Sequence, residues 1–160
     1  MRRARQVWLL ALCWCLAAPV AEARVFPWDD YGPACQWLRL SGAIERPAGM
    51  EAGAPVLLTV TYRLPGQATP ATLLTNYPIE GSRFFFVLSG FEENIQGAIF
   101  VPPMFFFSDK IEFQYFATLP GGRGRSEYHR SVYHPQRIKK DGKVLCQTAL
   151  QLETLKVGRR

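Results

Sequence analysis

The chain has 160 residues and a formal net charge of +6 at pH 7, with four cysteines and two histidines. This length suits one domain with its own core, and the scattered cysteines and histidines exclude the closely spaced ligands of a zinc site. We also exclude nucleic acid as a partner, because we expect the chain to leave the cytoplasm and its basic segment to lack a platform for stacking bases.

The first 23 residues have the order of a cleavable secretory signal peptide. Arginines within 2–5 supply a positive start, and an uncharged apolar run of 12 residues follows at 7–18. That run is shorter than the roughly 20 apolar residues that a membrane-spanning helix needs. The small residues of Ala-Glu-Ala at 21–23 then fit a signal-peptidase site, so we expect cleavage before Arg24 and an exported protein.

Lipidation is an alternative fate of this leader. Bacterial lipoproteins retain an acylated cysteine at the cleavage site, and Cys13 and Cys15 lie in the right region. They follow Leu12 and Trp14, which are larger than the small residue that such cleavage requires. We therefore expect membrane attachment only if one of the two cysteines is acylated after all. The expected location is the periplasm or the inner face of the outer membrane, and otherwise the medium.

Cleavage leaves two cysteines, Cys35 and Cys146, one near each end of the remaining domain. In an oxidising compartment such a pair indicates one disulfide. The two cysteines are 111 residues apart, and closing so long a loop contributes up to about 4–5 kcal/mol in the chain-entropy model. The alternative is a pair of buried free thiols.

An all-β pattern follows an irregular lead-in at 24–34. Short runs rich in Val, Thr, Phe and Tyr alternate with Gly and Pro clusters, as is typical of strands and turns. We predict strands at 36–45, 56–63, 71–77, 82–89, 96–101, 110–118 and 144–157. The chain is therefore predicted to form a single antiparallel β-sandwich of about seven strands over 35–157, with a small β-barrel as the alternative.

Two aromatic runs stand out within this pattern. The run at 84–86 is apolar on both faces, which predicts a central strand covered on both sides. The second run consists of Met104, Phe105, Phe106 and Phe107 and does not fit one face of one strand. These rings are either core or, if exposed, an apolar groove for a protein partner. We predict them as partner-binding residues.

A long basic segment at 119–143 precedes the last predicted strand. The interval from residue 119 to residue 160 has ten basic and three acidic residues, whereas 24–118 has six basic and nine acidic ones. We interpret 119–143 as a loop, with room for a short strand at 128–133. Its cations predict a site for an anionic glycan or surface, with a simple solvated loop as the alternative: Arg123, Arg125, Arg130, Arg137, Lys139, Lys140 and Lys143.

Motifs for catalysis or cofactor binding are missing from the sequence. His129 and His134 lie in the basic segment, outside any recognised nucleophile setting. The glycines at 121–124 lack the Gly-Lys-Ser/Thr ending of a phosphate loop. We therefore predict no enzyme activity and no cofactor, and keep a small hydrolase as a third option.

A family resemblance gives the functional hypothesis a more specific form. The segments LSGAIE (40–45), GAPVLLTVTY (53–62), YPIEGSRFFFVLS (77–89) and KIEFQYFA (110–117) resemble the exported β-sandwich lipoproteins of the YscW/YbaY type. Some members of this family are pilotins, which escort a secretin subunit of a type III secretion system to the outer membrane. The resemblance covers about 38–118 and includes no binding motif that assigns individual residues.

These observations together predict a non-enzymatic exported β-sandwich that binds another protein. The most concrete version is a pilotin-like accessory chaperone of a bacterial envelope secretion system, which holds a short amphipathic segment of its partner in an apolar groove. The alternatives are a secreted module that binds an anionic glycan or surface through the basic segment, and a small hydrolase.

Overall fold

Strands make up most of the chain that the structure describes. This structure is a computed structural model, and it describes residues 36–51, 53–90, 97–135 and 137–159. Its strands are β1 (Trp37–Glu45), β2 (Val56–Arg63), β3 (Ala71–Ile79), β4 (Arg83–Ser89), β5 (Ile99–Phe100), β6 (Ile111–Thr118), β7 (Gly124–Arg125), β8 (His129–Tyr133), β9 (Arg137–Lys140), β10 (Lys143–Cys146), β11 (Ala149–Gln151), β12 (Leu155–Lys156) and β13 (Gly158–Arg159). One turn of helix, α1 (Met104–Phe107), precedes β6, and a 3-10 turn (Pro120–Gly122) follows it.

Several predicted features lie outside the described residues. They are the signal peptide at 1–23, the lead-in at 24–34, the lipidation candidates Cys13 and Cys15, and Cys35. These stay predictions. All described residues belong to one unit of the chain, Tyr31–Arg160.

The strands form two main sheets and a ribbon. Sheet I has the order β11-β1-β4-β5, with β12 continuing alongside β1. Sheet II has the order β13-β7-β6-β2-β3, with β8 beside β6. Strands β9 and β10 pair only with each other among the described strands, and we call them the basic ribbon. The all-β prediction is therefore confirmed.

Three pairings add a parallel component to the predicted antiparallel architecture. Strand β1 runs parallel to β11 and β12, and β4 runs parallel to β5.

The predicted last strand at 144–157 is divided into β10, β11 and β12, because β10 turns back on β9 and β11 continues beside β1. Asp141 and Gly142 join β9 to β10 with φ angles of 51° and 74°, as a two-residue hairpin turn of this hand requires. The interval 119–143, predicted to be a loop, thus contains the strands β7, β8 and β9. Strand β8 lies where the sequence leaves room for a short strand, at 128–133.

The two sheets bury one common core. Alternation along β2 and β6 places every second residue inside, as the sequence predicts. Sheet I contributes Leu38, Leu40 and Leu88 from β1 and β4 to the same cluster. Gly42 on β1 faces Phe84 across the strand pair, and the ring lies so close to the glycine that a Cβ there would overlap it. An aromatic ring packed over a strand glycine restores the apolar cover that the glycine lacks.

Arg46 fixes the connection between the two sheets. The chain leaves β3 in sheet II and enters β4 in sheet I through residues 80–82. The Arg46 guanidinium donates hydrogen bonds to three successive carbonyl oxygens of this connection: Ile79 at 2.8 Å, Glu80 at 2.7 Å and Gly81 at 2.8 Å. A charged donor strengthens such bonds relative to neutral ones, so this one side chain holds the crossing in place.

The C-terminal segment then joins the sheets a second time. Leu152 N donates to Ser41 O at 2.7 Å and Val157 N donates to Glu45 O at 2.9 Å, both on β1 in sheet I. The next two residues form β13, which pairs with β7 in sheet II. The side chains of Leu152, Leu155 and Val157 are buried between these contacts.

Candidate binding surface

The outer face of sheet I carries several exposed side chains. Opposite residues of a strand pair share a face, so the register of β1 with β4 places Arg39 beside Val87, Ser41 beside Phe85 and Ala43 beside Arg83. The register of β4 with β5 adds Phe100 to this face. Phe85 is 61% exposed and Phe100 is 52% exposed. We call this face the Arg39–Phe85 surface, and its members are Trp37, Arg39, Ser41, Ala43, Arg83, Phe85, Val87 and Phe100.

This exposure corrects the prediction for the aromatic run at 84–86. Strand β4 is central, between β1 and β5, but its outer face is open at Phe85. Phe84 is buried there, whereas Phe85 points outward. A strand with apolar residues on both faces is expected to be packed on both faces. Here the outer face is not packed at Phe85.

A shallow depression of about 660 Å³ lies on the Arg39–Phe85 surface. Small residues, Ser41 and Ala43, line it together with Arg39, Arg83, Phe84, Phe85, Gly42 and Gln151. The Arg39 guanidinium lies 4.8 Å from the centre of the Phe85 ring, which is within the range of a cation–π contact. Ser41 Oγ donates to Gln151 Oε1 at 2.9 Å and fixes the rim on the β11 side.

The charge of this depression is positive. Two arginines line it, and no carboxylate is among its lining residues. The acidic Glu45, further along β1, lies 3.4 Å from Lys156 and is thereby compensated. The site therefore offers aromatic area and two guanidinium groups, which suits an acidic ligand with an apolar side.

The predicted aromatic groove at 104–107 requires a correction. These residues form α1, and the turn places Phe105 and Phe106 in the core at 0% and 3% exposure. Phe105 packs edge-on against Tyr62 and Phe113, with ring centres 5.2 Å and 6.0 Å apart. These two rings are therefore unavailable to a partner. Met104 is 70% exposed, and Phe107 is half-buried.

The structure divides the predicted basic set between two places. Arg123, Arg125 and Arg130 lie at or beside β7 and β8, next to β6 of sheet II. The other four predicted residues, Arg137, Lys139, Lys140 and Lys143, occupy the basic ribbon. Their backbone positions are described, and a binding role for their side chains stays a prediction.

Arg125 contacts two neighbouring aromatic rings. Its guanidinium carbon lies 4.1 Å from the ring centre of Phe116 and 3.9 Å from that of Tyr128. The two rings meet edge to face, with centres 4.6 Å apart. We call these three residues the Arg125 clamp. The predicted absence of an aromatic platform from the basic segment does not allow for Phe116, which is distant in sequence and reaches Arg125 only through the pairing of β6 with β7.

A polar cluster that the sequence analysis missed lies at the edge of sheet II. His129 Nδ1 is 2.8 Å from Glu153 Oε2, and the His129 ring stacks on Tyr115 with centres 5.8 Å apart. The Tyr115 hydroxyl accepts from Glu153 N at 2.9 Å and shares a hydrogen bond of 2.9 Å with Ser131 Oγ. The cluster ties the C-terminal segment to β6 and β8. The sequence gives no sign of this cluster, because Glu153 comes next to β6 only in the folded chain.

Glu112 on the outer face of sheet II is close to several basic residues. A hydrogen bond from Lys110 and the charge of that ammonium lower the pKa of the Glu112 carboxyl, and the guanidinium charges of Arg63 and Arg130 add to this effect. The Lys110 Nζ atom lies 2.5 Å from Glu112 Oε1. Lys110, Arg63 and Arg130 therefore all act on this exposed carboxyl on the outer face of sheet II.

Cys146 at the end of β10 is disulfide-bonded. The partner cysteine lies outside the described residues, so the predicted pairing with Cys35 stays a prediction. The described part of the chain also bears on metal binding and membrane crossing. No group of three or more His, Cys, Asp or Glu side chains in it is arranged to hold a metal ion. None of its helices has the length and apolar character needed to cross a membrane.

Comparisons with known proteins leave the family open. No protein-family model matches the chain, and neither the curated proteins nor the solved structures contain a significant match. The resemblance to the YscW/YbaY type therefore stays a hypothesis based on the sequence segments given above.

Proposed function

We propose that this protein is a non-enzymatic exported module that binds an acidic, amphipathic segment of a protein partner on the Arg39–Phe85 surface. One observation carries the proposal. An uncovered sheet face combines exposed aromatic rings, Phe85 and Phe100, with two arginines and a depression that no carboxylate lines.

The composition of the surface supports a protein partner. Aromatic residues and arginine are enriched in protein interfaces and carry much of their binding energy, because they bury large areas and donate several hydrogen bonds. The Arg39 side chain is already oriented by Phe85, so less of its conformational freedom is lost on binding. Sheet I provides a rigid base beneath both groups.

Charge decides the chemistry of the partner segment. Carboxylates placed opposite Arg39 and Arg83 would form charge-assisted hydrogen bonds, whereas a basic segment would meet two like charges without compensation. The apolar side of the segment would cover Phe85 and Phe100. This location replaces the groove at 104–107, whose central rings are in the core.

Two synthetic amphipathic peptides test the proposal. Both have the same Leu and Phe positions, and the remaining positions are Glu in one peptide and Lys in the other. We expect the acidic peptide to bind at least about tenfold more tightly, which corresponds to roughly 1.4 kcal/mol. Fluorescence anisotropy of labelled peptides against the mature protein measures both affinities. The affinity for the acidic peptide should weaken at higher salt.

Matched variants locate the site. Arg83→Glu and Phe85→Ala should each weaken binding of the acidic peptide, whereas Arg130→Glu on sheet II and Met104→Ala on α1 should not. Arg83, Arg130 and Met104 are exposed, so the controls change charge or apolar area equally at a surface position. Equal binding of the two peptides, or an effect of Met104→Ala that matches that of Phe85→Ala, would contradict the proposal.

The resemblance to the YscW/YbaY type supports a narrower version. In it, the partner is a secretin subunit of a type III secretion system and the protein acts at the periplasmic side of the outer membrane. Deleting the gene in its host should then move the secretin from the outer to the inner membrane fraction. Restoration by the wild-type protein but not by Arg83→Glu would link this activity to the same surface.

A further inference from the structure

We propose that the Arg125 clamp is a second binding site, which takes a sulfate or phosphate ester carried on a sugar. The site lies on sheet II, whereas the proposed protein site lies on sheet I. The two proposals therefore stand or fall separately.

Arg125 has an unused hydrogen-bonding edge. Arg125 Nε and Nη2 are buried and have no hydrogen-bond partner among the described residues. These two nitrogens form the side of the guanidinium that grips an oxyanion with two parallel hydrogen bonds. A buried donor without a partner is unfavourable, so an arriving oxyanion would complete a site whose donors are already oriented.

Tyr128 can give way to a ligand at this site. The centre of its ring lies 3.9 Å from the guanidinium carbon, yet its side chain is 63% exposed and the residue lies outside any strand. The ring can therefore turn away from the guanidinium without moving β6 or β7. The displaced ring keeps an open face on which a sugar can pack, while Phe116 stays in contact with the guanidinium.

Two further arginines lie near Arg125 on the same sheet. Thr118 on β6 pairs with Arg125, and Gln114 pairs with Arg130. Four residues along a strand span about 13 Å, so Arg125 and the exposed Arg130 are placed for successive charged groups of a linear saccharide. Arg123 is also exposed. None of these three arginines forms an ion pair with another described residue.

A sulfated tetrasaccharide and its unsulfated counterpart test the site by calorimetry or fluorescence. We expect binding of the sulfated form alone. Arg125→Lys keeps the charge but loses the two-donor edge, and should weaken this binding about tenfold. Lys156→Arg on β12 in sheet I is a charge-keeping control at an exposed position and should leave the affinity unchanged within about twofold. Circular dichroism and the thermal midpoint of each variant report whether it is folded.

A second variant keeps the test decisive if Arg125→Lys fails to fold. Arg130→Gln leaves the clamp untouched and should weaken binding of the sulfated tetrasaccharide by removing one flanking charge. Equal affinity of wild type and folded Arg125→Lys, or no effect of Arg130→Gln, would overturn the proposal. Tighter binding to phosphatidylglycerol vesicles than to the tetrasaccharide, with the same dependence on Arg125, would also overturn it, because the ligand would then be a lipid headgroup.

Discussion

Tyr62 is a phenol that the fold keeps away from water. It is the last inward residue of β2, and its ring packs edge-on against Phe105 at 5.2 Å between centres. Burial raises the pKa of the Tyr62 hydroxyl above its ordinary value of 10.0. The folded protein therefore holds this proton at a pH where the unfolded chain has begun to lose it.

This difference predicts a loss of stability in alkali. Above about pH 10 the unfolded state binds fewer protons at Tyr62 than the folded state, so the free energy of unfolding falls as pH rises. Tyr62→Phe removes the ionisable group and should make this fall shallower. At pH 7 both states hold the proton, and we expect the substitution to change the free energy of unfolding by less than about 1 kcal/mol.

Urea unfolding at pH 7 and at steps between pH 9 and 11 measures the effect. Tyr77→Phe is the control, since Tyr77 lies on the edge strand β3 and is exposed; it should follow the wild-type profile. A Tyr62→Phe profile parallel to that of the wild type would show that another group causes the alkaline loss.

At the scale of elements, the short pair β7–β13 depends on one glycine. Gly124 is buried, and a Cβ at this position would overlap the carbonyl oxygen of Gly158 and come within 2.9 Å of Leu119 Cδ1. The obstacle is backbone, which cannot rotate away as a side chain can. Gly124→Ala should therefore push β13 off β7 and lower the free energy of unfolding by about 1–3 kcal/mol.

The partner strand supplies the control for this prediction. A Cβ at Gly158 meets no heavy atom within 4 Å, and Gly158 lies opposite Arg125 in the same pair. Gly158→Ala should be tolerated. Amide hydrogen exchange distinguishes local from global effects, because β13 alone should lose protection in Gly124→Ala. Unchanged protection of β13 would mean that the strand holds its place without this close approach.

The sequence predicts those elements in which apolar residues recur at a regular spacing. Strict alternation identifies β2 and β6, since half-buried strands bury every second residue. The turn of helix α1 is not predicted, because four apolar residues carry no helical period and the burial of two of them depends on Tyr62 and Phe113. The division of 144–157 into separate strands depends on two different partners, β9 and β1.

The candidate site is predicted less well than the fold, for a related reason. Composition identifies aromatic and basic residues, but not which of them are exposed. Phe85 and Phe105 occur in similar Phe-rich runs, yet one is on the surface and the other is in the core. What covers each ring is set by elements distant in sequence, as Phe116 is for Arg125.

At the scale of the whole molecule, the two ends of the domain lie side by side. Strand β1 near its start runs parallel to β11 near its end, with Arg39 opposite Ala149. Arg39 N also donates to Thr148 O at 2.8 Å. Arg39 is four residues after Cys35, and Ala149 is three residues after Cys146. The Cys35–Cys146 pairing stays a prediction, and this register is the reason to test it.

This bridge should be a major contributor to stability. It would close a loop of 111 residues and restrict the unfolded chain, so reduction should lower the free energy of unfolding by up to about 4–5 kcal/mol. Chemical denaturation of the mature protein with and without reductant measures this difference. The double variant Cys35→Ser/Cys146→Ser should unfold like the reduced wild type, and reductant should leave it unchanged. Non-reducing peptide mapping must show the two cysteines in one linked fragment; two alkylated thiols in the untreated protein would contradict the pairing and leave the long loop open.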